Sequence, residues 1–138
     1  MFEHILPAVD GAEHALHAAK VAGDLARAVH ARELRIIAAY DPVPAYLGEP
    51  NPSNAMNARF HEIETTMQDA EAAVGDLPAE LQTESIEGSI AEALINMANT
   101  HSSGLIIIGS RGRLAGAILD SNSQKVVSEA PCPVLIVG

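Results

Sequence analysis

The chain has 138 residues, of which 48% are hydrophobic, and a formal net charge of −10 at pH 7. We expect a single domain over residues 1–138, because chains of this length bury enough surface for one core. The apolar runs are much shorter than the roughly 20 residues that span a bilayer, which predicts no membrane insertion. The acidic charge repels a phosphate backbone, which argues against nucleic acid as a partner. Cys132 is the only cysteine, and the N-terminus has no secretory leader pattern, so we expect a cytoplasmic protein.

Strand and helix patterns alternate through the first half of the chain. A short apolar run over residues 5–9 predicts a buried strand. Apolar residues recur at helical spacing over residues 13–30, and residues 33–40 return to a strand pattern. A proline-rich stretch over residues 41–53 predicts a long surface loop, of the length that often carries function. The clearest helix pattern follows over residues 53–74, where apolar residues repeat in steps of four and three.

Two details of the first strand and helix can also be predicted. Pro7 removes one backbone donor from the strand, so we expect a local irregularity there. The helix over residues 13–30 should have one core face and one polar face. The expected core residues are Ala18, Val21, Leu25 and Val29. The expected solvent-facing residues are Glu13, His17, Lys20, Asp24 and Arg27.

The alternation continues through the second half of the chain. Residues 81–86 predict a strand with polar alternation, and Ser89–Glu92 has the spacing of a capping box, which predicts the start of a third helix. Residues 105–109 form the most apolar strand pattern, and a glycine-rich turn follows it. Ser121–Gln124 repeats the capping-box spacing before a last helix. Residues 133–137 predict the last strand.

The predicted element order is βαβαβαβαβ. Strands that are buried on both faces and joined by helices form a parallel sheet, because right-handed crossovers place helices on both sides. The pattern therefore predicts a doubly wound α/β sandwich. Ligands bind such sheets outside the carboxyl ends of the strands, where the strand order reverses. Two segments fit such a site: Asp10, at the end of the first strand, and the turn over residues 109–113.

The turn after the fourth predicted strand has features of a phosphate site. Gly109 and Gly112 can adopt positive φ and let backbone N–H groups approach an anion. Arg111 and Arg113 add positive charge in a chain with only eight basic residues. A tight strand-to-helix turn with solvated arginines explains the same residues equally well. Both interpretations stay open from the glycine spacing alone.

Two segments resemble the universal stress protein family. Residues 5–11, Ile-Leu-Pro-Ala-Val-Asp-Gly, are similar to its first strand, and residues 88–137 resemble its C-terminal half, with Ala-Pro-Cys-Pro as a specific signature. The resemblance implies an open five-stranded parallel sheet in the order 3-2-1-4-5 with helices on both faces, the adenine nucleotide alpha hydrolase-like fold. It also implies a regulatory module of the stress response that binds an adenine nucleotide.

The resemblance further implies where ATP or AMP, with Mg²⁺, would bind. ATP-binding members carry a Gly-x2-Gly-x9-Gly-Ser/Thr motif, and Gly109 and Gly112 match its first half. The second half departs, because Asp120 and Ser121 stand at the expected Gly-Ser position, with seven residues rather than nine after Gly112. Counting nine residues without a gap gives Asn122 and Ser123 instead, so the third glycine is absent either way. The predicted nucleotide-binding residues are Ala8, Val9, Asp10, Ala39, Gly109, Arg111, Gly112, Arg113, Asp120, Ser121, Asn122 and Ser123.

Asp120 and Asp10 each have more than one interpretation. A carboxylate about 5 Å from a phosphate charge costs roughly 3 kcal/mol at an effective dielectric of 20, which is about a hundredfold in affinity. Either aspartate could instead contact Mg²⁺ that is bound through the nucleotide, and no other metal site is predicted. Both aspartates, as well as Ser121, could also cap the helices that follow them.

Three functions from different classes remain. The first is a homodimeric module that responds to an adenine nucleotide, and the second is a nucleotide-free dimer that acts through contacts with an unknown protein partner. The third is a slow ATPase, but no nucleophile has a visible activating base. The histidines are dispersed, which favours solvated side chains over metal ligands. The resemblance implies that dimers form through the last strand, with Val134, Leu135, Ile136 and Val137.

Overall fold

The computed structural model describes residues 3–9, 13–40, 52–100, 104–109 and 121–137. Five strands and four helices alternate along this part of the chain. The strands are β1 (His4–Val9), β2 (Glu33–Tyr40), β3 (Glu80–Glu87), β4 (Gly104–Gly109) and β5 (Val134–Val137). The helices are α1 (Glu13–Val29), α2 (Pro52–Val74), α3 (Ile90–Thr100) and α4 (Ser121–Glu129). The predicted loop over residues 41–53 lies mostly outside the described residues.

The strands form one sheet in the order β3-β2-β1-β4-β5. Every neighbouring pair is parallel, which confirms the predicted order and architecture. Helices α1 and α2 pack on one face with a core that includes Ile5 and Leu34. Helices α3 and α4 pack on the other face around Leu6 and Ile106. Burial on both faces explains why β1 and β4 have continuous apolar sequences.

Pro7 changes the pairing of β1 without shifting its register. The recorded pairs between β1 and β2 are at His4, Ile5, Ala8 and Val9, with the same offset before and after Pro7. The pairing with β4 continues through Pro7. A proline lacks the N–H that a strand pair requires, which accounts for the interruption on one side only. The predicted irregularity is therefore a local gap in the ladder.

The predicted core face of α1 is wrong in part. Ala18 is buried as expected, but Val21 and Leu25 are only half-buried and Val29 is 37% exposed. The face that packs inward consists of small residues, since Ala19, Ala22 and Ala26 are at most 1% exposed. The reason is the close crossing of α1 and α2.

Gly23 sets the distance between α1 and α2. A Cβ atom at Gly23 would lie 2.6 Å from the carbonyl oxygen of Val74, closer than real Cβ contacts. Only a glycine permits this approach, and the alanines beside it allow the helix to lie close to the sheet. The period of the large apolar residues therefore identified the helix but not the side that packs inward.

Arg27 does not simply face solvent, as the helical pattern predicted. Its Nη1 donates to the carbonyl oxygens of Val74 and Asp76 at 2.9 and 2.8 Å. Its Nη2 donates to Asp24 at 2.6 Å. A guanidinium that binds the last carbonyls of a helix stabilises its negative end. Arg27 thus links the end of α2 to α1.

The start of α3 confirms the predicted cap. Ser89 Oγ accepts a hydrogen bond from the Glu92 backbone N–H at 3.3 Å. The carboxylate of Glu92 does not complete a reciprocal box within the described contacts, because it pairs with Lys125 of α4 at 3.2 Å. The cap fixes the entry of α3, and the ion pair joins α3 to α4.

Candidate functional site

The strand order reverses at β1, which pairs with β2 on one side and with β4 on the other. The β1–β4 register pairs Pro7 with Ile107, and continuing it brings Val9 alongside Gly109. The crossovers into α1 and α4 leave the sheet from these strand ends. In open α/β sheets this position forms a crevice that binds ligands. The candidate site is therefore the carboxyl edge of β1 and β4, called the crevice below.

Four predicted site residues lie at this edge on three adjacent strands. Ala8 and Val9 are 8% and 2% exposed and contribute to the two opposite cores. Ala39 follows Ala38, which pairs with Val9. Gly109 ends β4 and pairs with Val137. The structure thus brings Ala8, Val9, Ala39 and Gly109 together at the crevice.

The first turn of α4 holds three more predicted residues. The helix begins at Ser121, so Ser121, Asn122 and Ser123 all belong to its N-terminal turn. Ser123 is 6% exposed and is the one buried polar residue in the part of the chain that the structure describes. The N–H groups of a first helical turn have no partner within the helix and can receive an anion. Ser123 is thus buried within the first turn of α4, and its role as a nucleotide contact stays a prediction.

The remaining predicted residues lie outside the described residues. They are Asp10, Arg111, Gly112, Arg113 and Asp120. Their roles in holding phosphate or Mg²⁺ stay predictions from the sequence. Asp120 directly precedes Ser121, where α4 begins, and its capping of that helix also stays a prediction.

Cys132 is half-buried on the segment before β5. Burial raises the pKa of its thiol above the ordinary value, and a hydrogen bond with the backbone of Ile106 opposes this rise. A thiol that stays protonated is a poor nucleophile. The side chain packs against the core beneath α3 and α4, in agreement with the packing role that its position between two prolines predicts.

A second concave feature lies between α3 and the outer strand β3. It is a groove of about 440 Å³, lined by residues along one side of α3 and the end of β3. Sequence reasoning missed this groove. The signal available in the sequence was helical spacing along one side of α3. The residues with this spacing are Ser89, Ala93, Asn96, Met97 and Thr100.

The described residues contain neither a membrane-spanning helix nor a cluster of metal-ligating side chains. No helix among them is long and apolar enough to cross a membrane. No three His, Cys, Asp or Glu residues of the described ranges lie close enough to hold a metal ion.

The chain is similar to known proteins over its whole length. It matches the universal stress protein family over residues 1–138. A universal stress protein from Thermus aquaticus is 43% identical over 139 residues, which covers 99% of each chain. The structure of universal stress protein UspA from Lactobacillus plantarum superposes with a TM-score of 0.80 at 25% identity, covering 99% of this chain and 98% of that one. A universal stress protein from Archaeoglobus fulgidus, solved in complex with dAMP, has a TM-score of 0.71 at 16% identity, with 100% and 98% covered.

Proposed function

The chain belongs to the universal stress protein family, and we propose that it is a regulatory module that binds an adenine nucleotide in the crevice. The observation that carries the proposal is the reversal of strand order at β1, with Val9 and Gly109 at adjacent strand ends. The first turn of α4 supplies donors for phosphate at the same edge. The dAMP complex of the similar Archaeoglobus fulgidus protein supports the proposal, because the same fold there accommodates an adenine nucleotide.

Each part of the nucleotide has a proposed set of contacts. The base lies beside the adjoining strand ends at Val9 of β1 and Ala39 of β2. Gly109 and Gly112 let the backbone approach the phosphates, and Arg111 and Arg113 add positive charge. Ser121, Asn122 and Ser123 provide the helix N-terminus. Asp10 or Asp120 would hold Mg²⁺ that arrives with the nucleotide, and the ion would supply positive charge beside the phosphates.

A second candidate is a nucleotide-free dimer that acts through protein contacts. The missing third glycine favours it, because Asp120 stands where the family motif has a residue that approaches the phosphates. An acidic side chain at that position opposes phosphate by charge. The two candidates share the fold and the dimer, and they differ only in whether the crevice binds a ligand.

We also propose a homodimer through β5, whichever candidate holds. The strand lies at one end of the sheet and consists of Val134, Leu135, Ile136 and Val137. Leu135 is 37% exposed, and the other three side chains are half-buried. An apolar edge strand with unpaired backbone groups is prone to pair with another strand. Pairing about a two-fold axis closes the assembly at two copies.

Calorimetric titration of the full chain with ATP and AMP, with and without Mg²⁺, tests the nucleotide proposal. We expect saturable binding by the wild type and about tenfold tighter ATP binding by Asp120→Gly, because an adverse charge is removed. Asp76→Asn is the matched control. Asp76 is exposed and follows α2, which packs on the sheet face opposite to α4, so this variant should bind ATP with the affinity of the wild type. Absence of binding in every protein would reject the nucleotide proposal and favour the nucleotide-free dimer. Binding that is equal in wild type and Asp120→Gly would reject the charge argument alone.

A further inference from the structure

The outer edge of β3 is open within the described residues. β3 lies at the end of the sheet and pairs only with β2 among the described strands. The N–H of Glu80 donates to the carbonyl oxygen of Arg32 at 3.0 Å, so the even-numbered residues of β3 direct their backbone groups toward β2. Since successive residues alternate, Thr83 and Ser85 direct their N–H and C=O groups outward. A further strand could pair with them.

The groove beside α3 lies where the side chains of such a strand would fall. Its lining includes Ile86 of β3 and Ala93 and Met97 of α3. Ala93 is 7% exposed, and the other two are half-buried beside the core under α3. These residues give the groove an apolar floor. A strand added next to β3 would direct every second side chain toward this floor.

The charges around the edge favour a basic partner. Residues 80–100 contain four carboxylates, Glu80, Glu84, Glu87 and Glu92, and no Lys, Arg or His. Arg35 pairs with Glu84 at 3.3 Å and Lys125 pairs with Glu92 at 3.2 Å. Glu80 accepts only from the neutral amide of Gln82 among the described contacts. No ion pair with Glu80 or Glu87 occurs among the described residues, so within them the negative charge at both ends of β3 is uncompensated.

The same charges disfavour a second copy of this chain at β3. Full antiparallel overlap of the strand with itself would place the carboxylates at its two ends, Glu80 and Glu87, opposite one another. Like charges directly opposite each other destabilise a strand pair. The formal charge of −10 on each chain adds to this repulsion. The charges on β3 therefore oppose pairing with a second copy of the chain and favour pairing with a basic partner.

We propose that β3 and the groove beside α3 form a docking surface for an extended basic segment of a partner protein, added to the sheet as a sixth strand. Its backbone pairs with Thr83 and Ser85. Its apolar side chains occupy the floor of the groove, and its Lys or Arg side chains neutralise the carboxylates of β3. This mode of recognition obtains affinity from main-chain hydrogen bonds and specificity from alternate side chains. It does not depend on a nucleotide in the crevice.

Fluorescence anisotropy with a labelled synthetic peptide of alternating lysine and valine tests the proposal on the full chain. We expect binding that weakens in high salt, because exposed charges are screened. A peptide with glutamate in place of lysine should not bind. Ser85→Pro should weaken binding about tenfold, since it removes an outward donor without removing one that pairs with β2. Ser85→Ala keeps the backbone donor and is the matched control.

A second variant tests the same surface in case Ser85→Pro fails to fold. Glu87→Lys reverses one charge at the end of β3 and should weaken peptide binding several-fold, whereas Glu64→Lys, on α2 across the sheet, should not. Absence of peptide binding, equal binding of the glutamate peptide, or unchanged binding in both Ser85→Pro and Glu87→Lys would each overturn the proposal. Amide protection at Thr83 and Ser85 that rises with protein concentration alone would overturn it in favour of a second copy.

Discussion

The two edges of the sheet are built in opposite ways. β5 has four apolar residues and no charged side chain, whereas the eight residues of β3 include three carboxylates. Both strands leave one row of backbone groups without a partner among the described strands, and such rows readily pair with other chains. Apolar side chains favour pairing with an identical strand, and like charges oppose it. The difference favours the proposed self-association through β5 and disfavours self-association through β3.

The largest effect is expected from Leu135→Lys in β5. A two-fold interface would bring two lysines close together on an apolar surface, so the dimer dissociation constant should rise by about a hundredfold or more. Light scattering at micromolar concentration should change from dimer to monomer. Val29→Lys is the control, because Val29 and Leu135 are both 37% exposed while Val29 ends α1. A wild type that is already monomeric, or equal effects of the two variants, would remove the proposed role of β5.

The next effect comes from making β3 resemble β5. Thr83→Val with Ser85→Val gives β3 two exposed β-branched apolar residues, which should promote pairing between copies. We expect species larger than a dimer in light scattering at submillimolar concentration. Thr65→Val with Gln68→Val, on the exposed side of α2, adds the same bulk away from a strand edge. If light scattering shows no larger species for the β3 variant than for this control, the polar residues of β3 do not prevent association between copies.

A smaller effect is expected at Cys132, on the segment before β5. Its raised pKa leaves less thiolate at a given pH, so alkylation by iodoacetamide at pH 8 should be several-fold slower than that of a free thiol. The rate should increase as pH rises toward the shifted pKa. It should also increase in Leu135→Lys, if the dimer shields the segment before β5. A rate equal to that of free cysteine at every pH would contradict the burial of this side chain.

The smallest effect is expected at the ion pair beside β3. Glu84→Gln removes the partner of Arg35 at 3.3 Å, but the side chain of Glu84 is 36% exposed, and Arg35 also binds Glu33 at 2.9 Å. Exposed pairs contribute about 0.5 kcal/mol or less. Urea denaturation should therefore show a loss of that size, with Glu64→Gln as a control near zero. A loss of about 2 kcal/mol or more in the free energy of unfolding would show that Glu84 acts mainly in stabilising the fold and not in opposing strand pairing at the edge of β3.

The parallel α/β architecture and the apolar character of the last strand could be predicted from the sequence. Alternating apolar strands and amphipathic helices restrict a chain of this length to few parallel arrangements. The order of the strands came from the family resemblance, and the structure confirms it. The packing face of α1 could not be predicted in the same way. It depends on the contact of Gly23 with Val74, two residues far apart in the chain, and alanine gives a weak signal in apolar periodicity.

The candidate site was predictable in its location and less so in its chemistry. Apolar strand ends at Val9 and Gly109 follow from the parallel sheet, since carboxyl ends meet at one edge. The burial of Ser123 could not be read from its residue type, because serine at a helix start usually caps it in solvent. Motif spacing also does not fix the direction of the Asp120 carboxylate, on which the two leading functions depend.

Backbone amide exchange, measured by NMR at two protein concentrations, tests the contrast between the edges most directly. The N–H of Ile106 donates to the carbonyl oxygen of Pro133, so strand alternation directs the amides of Val134 and Ile136 outward, as it does those of Thr83 and Ser85 in β3. The account predicts that protection at Val134 and Ile136 increases with concentration as dimers form, while Thr83 and Ser85 exchange at a constant rate. Increasing protection at Thr83 and Ser85, with none gained at Val134 and Ile136, would contradict it.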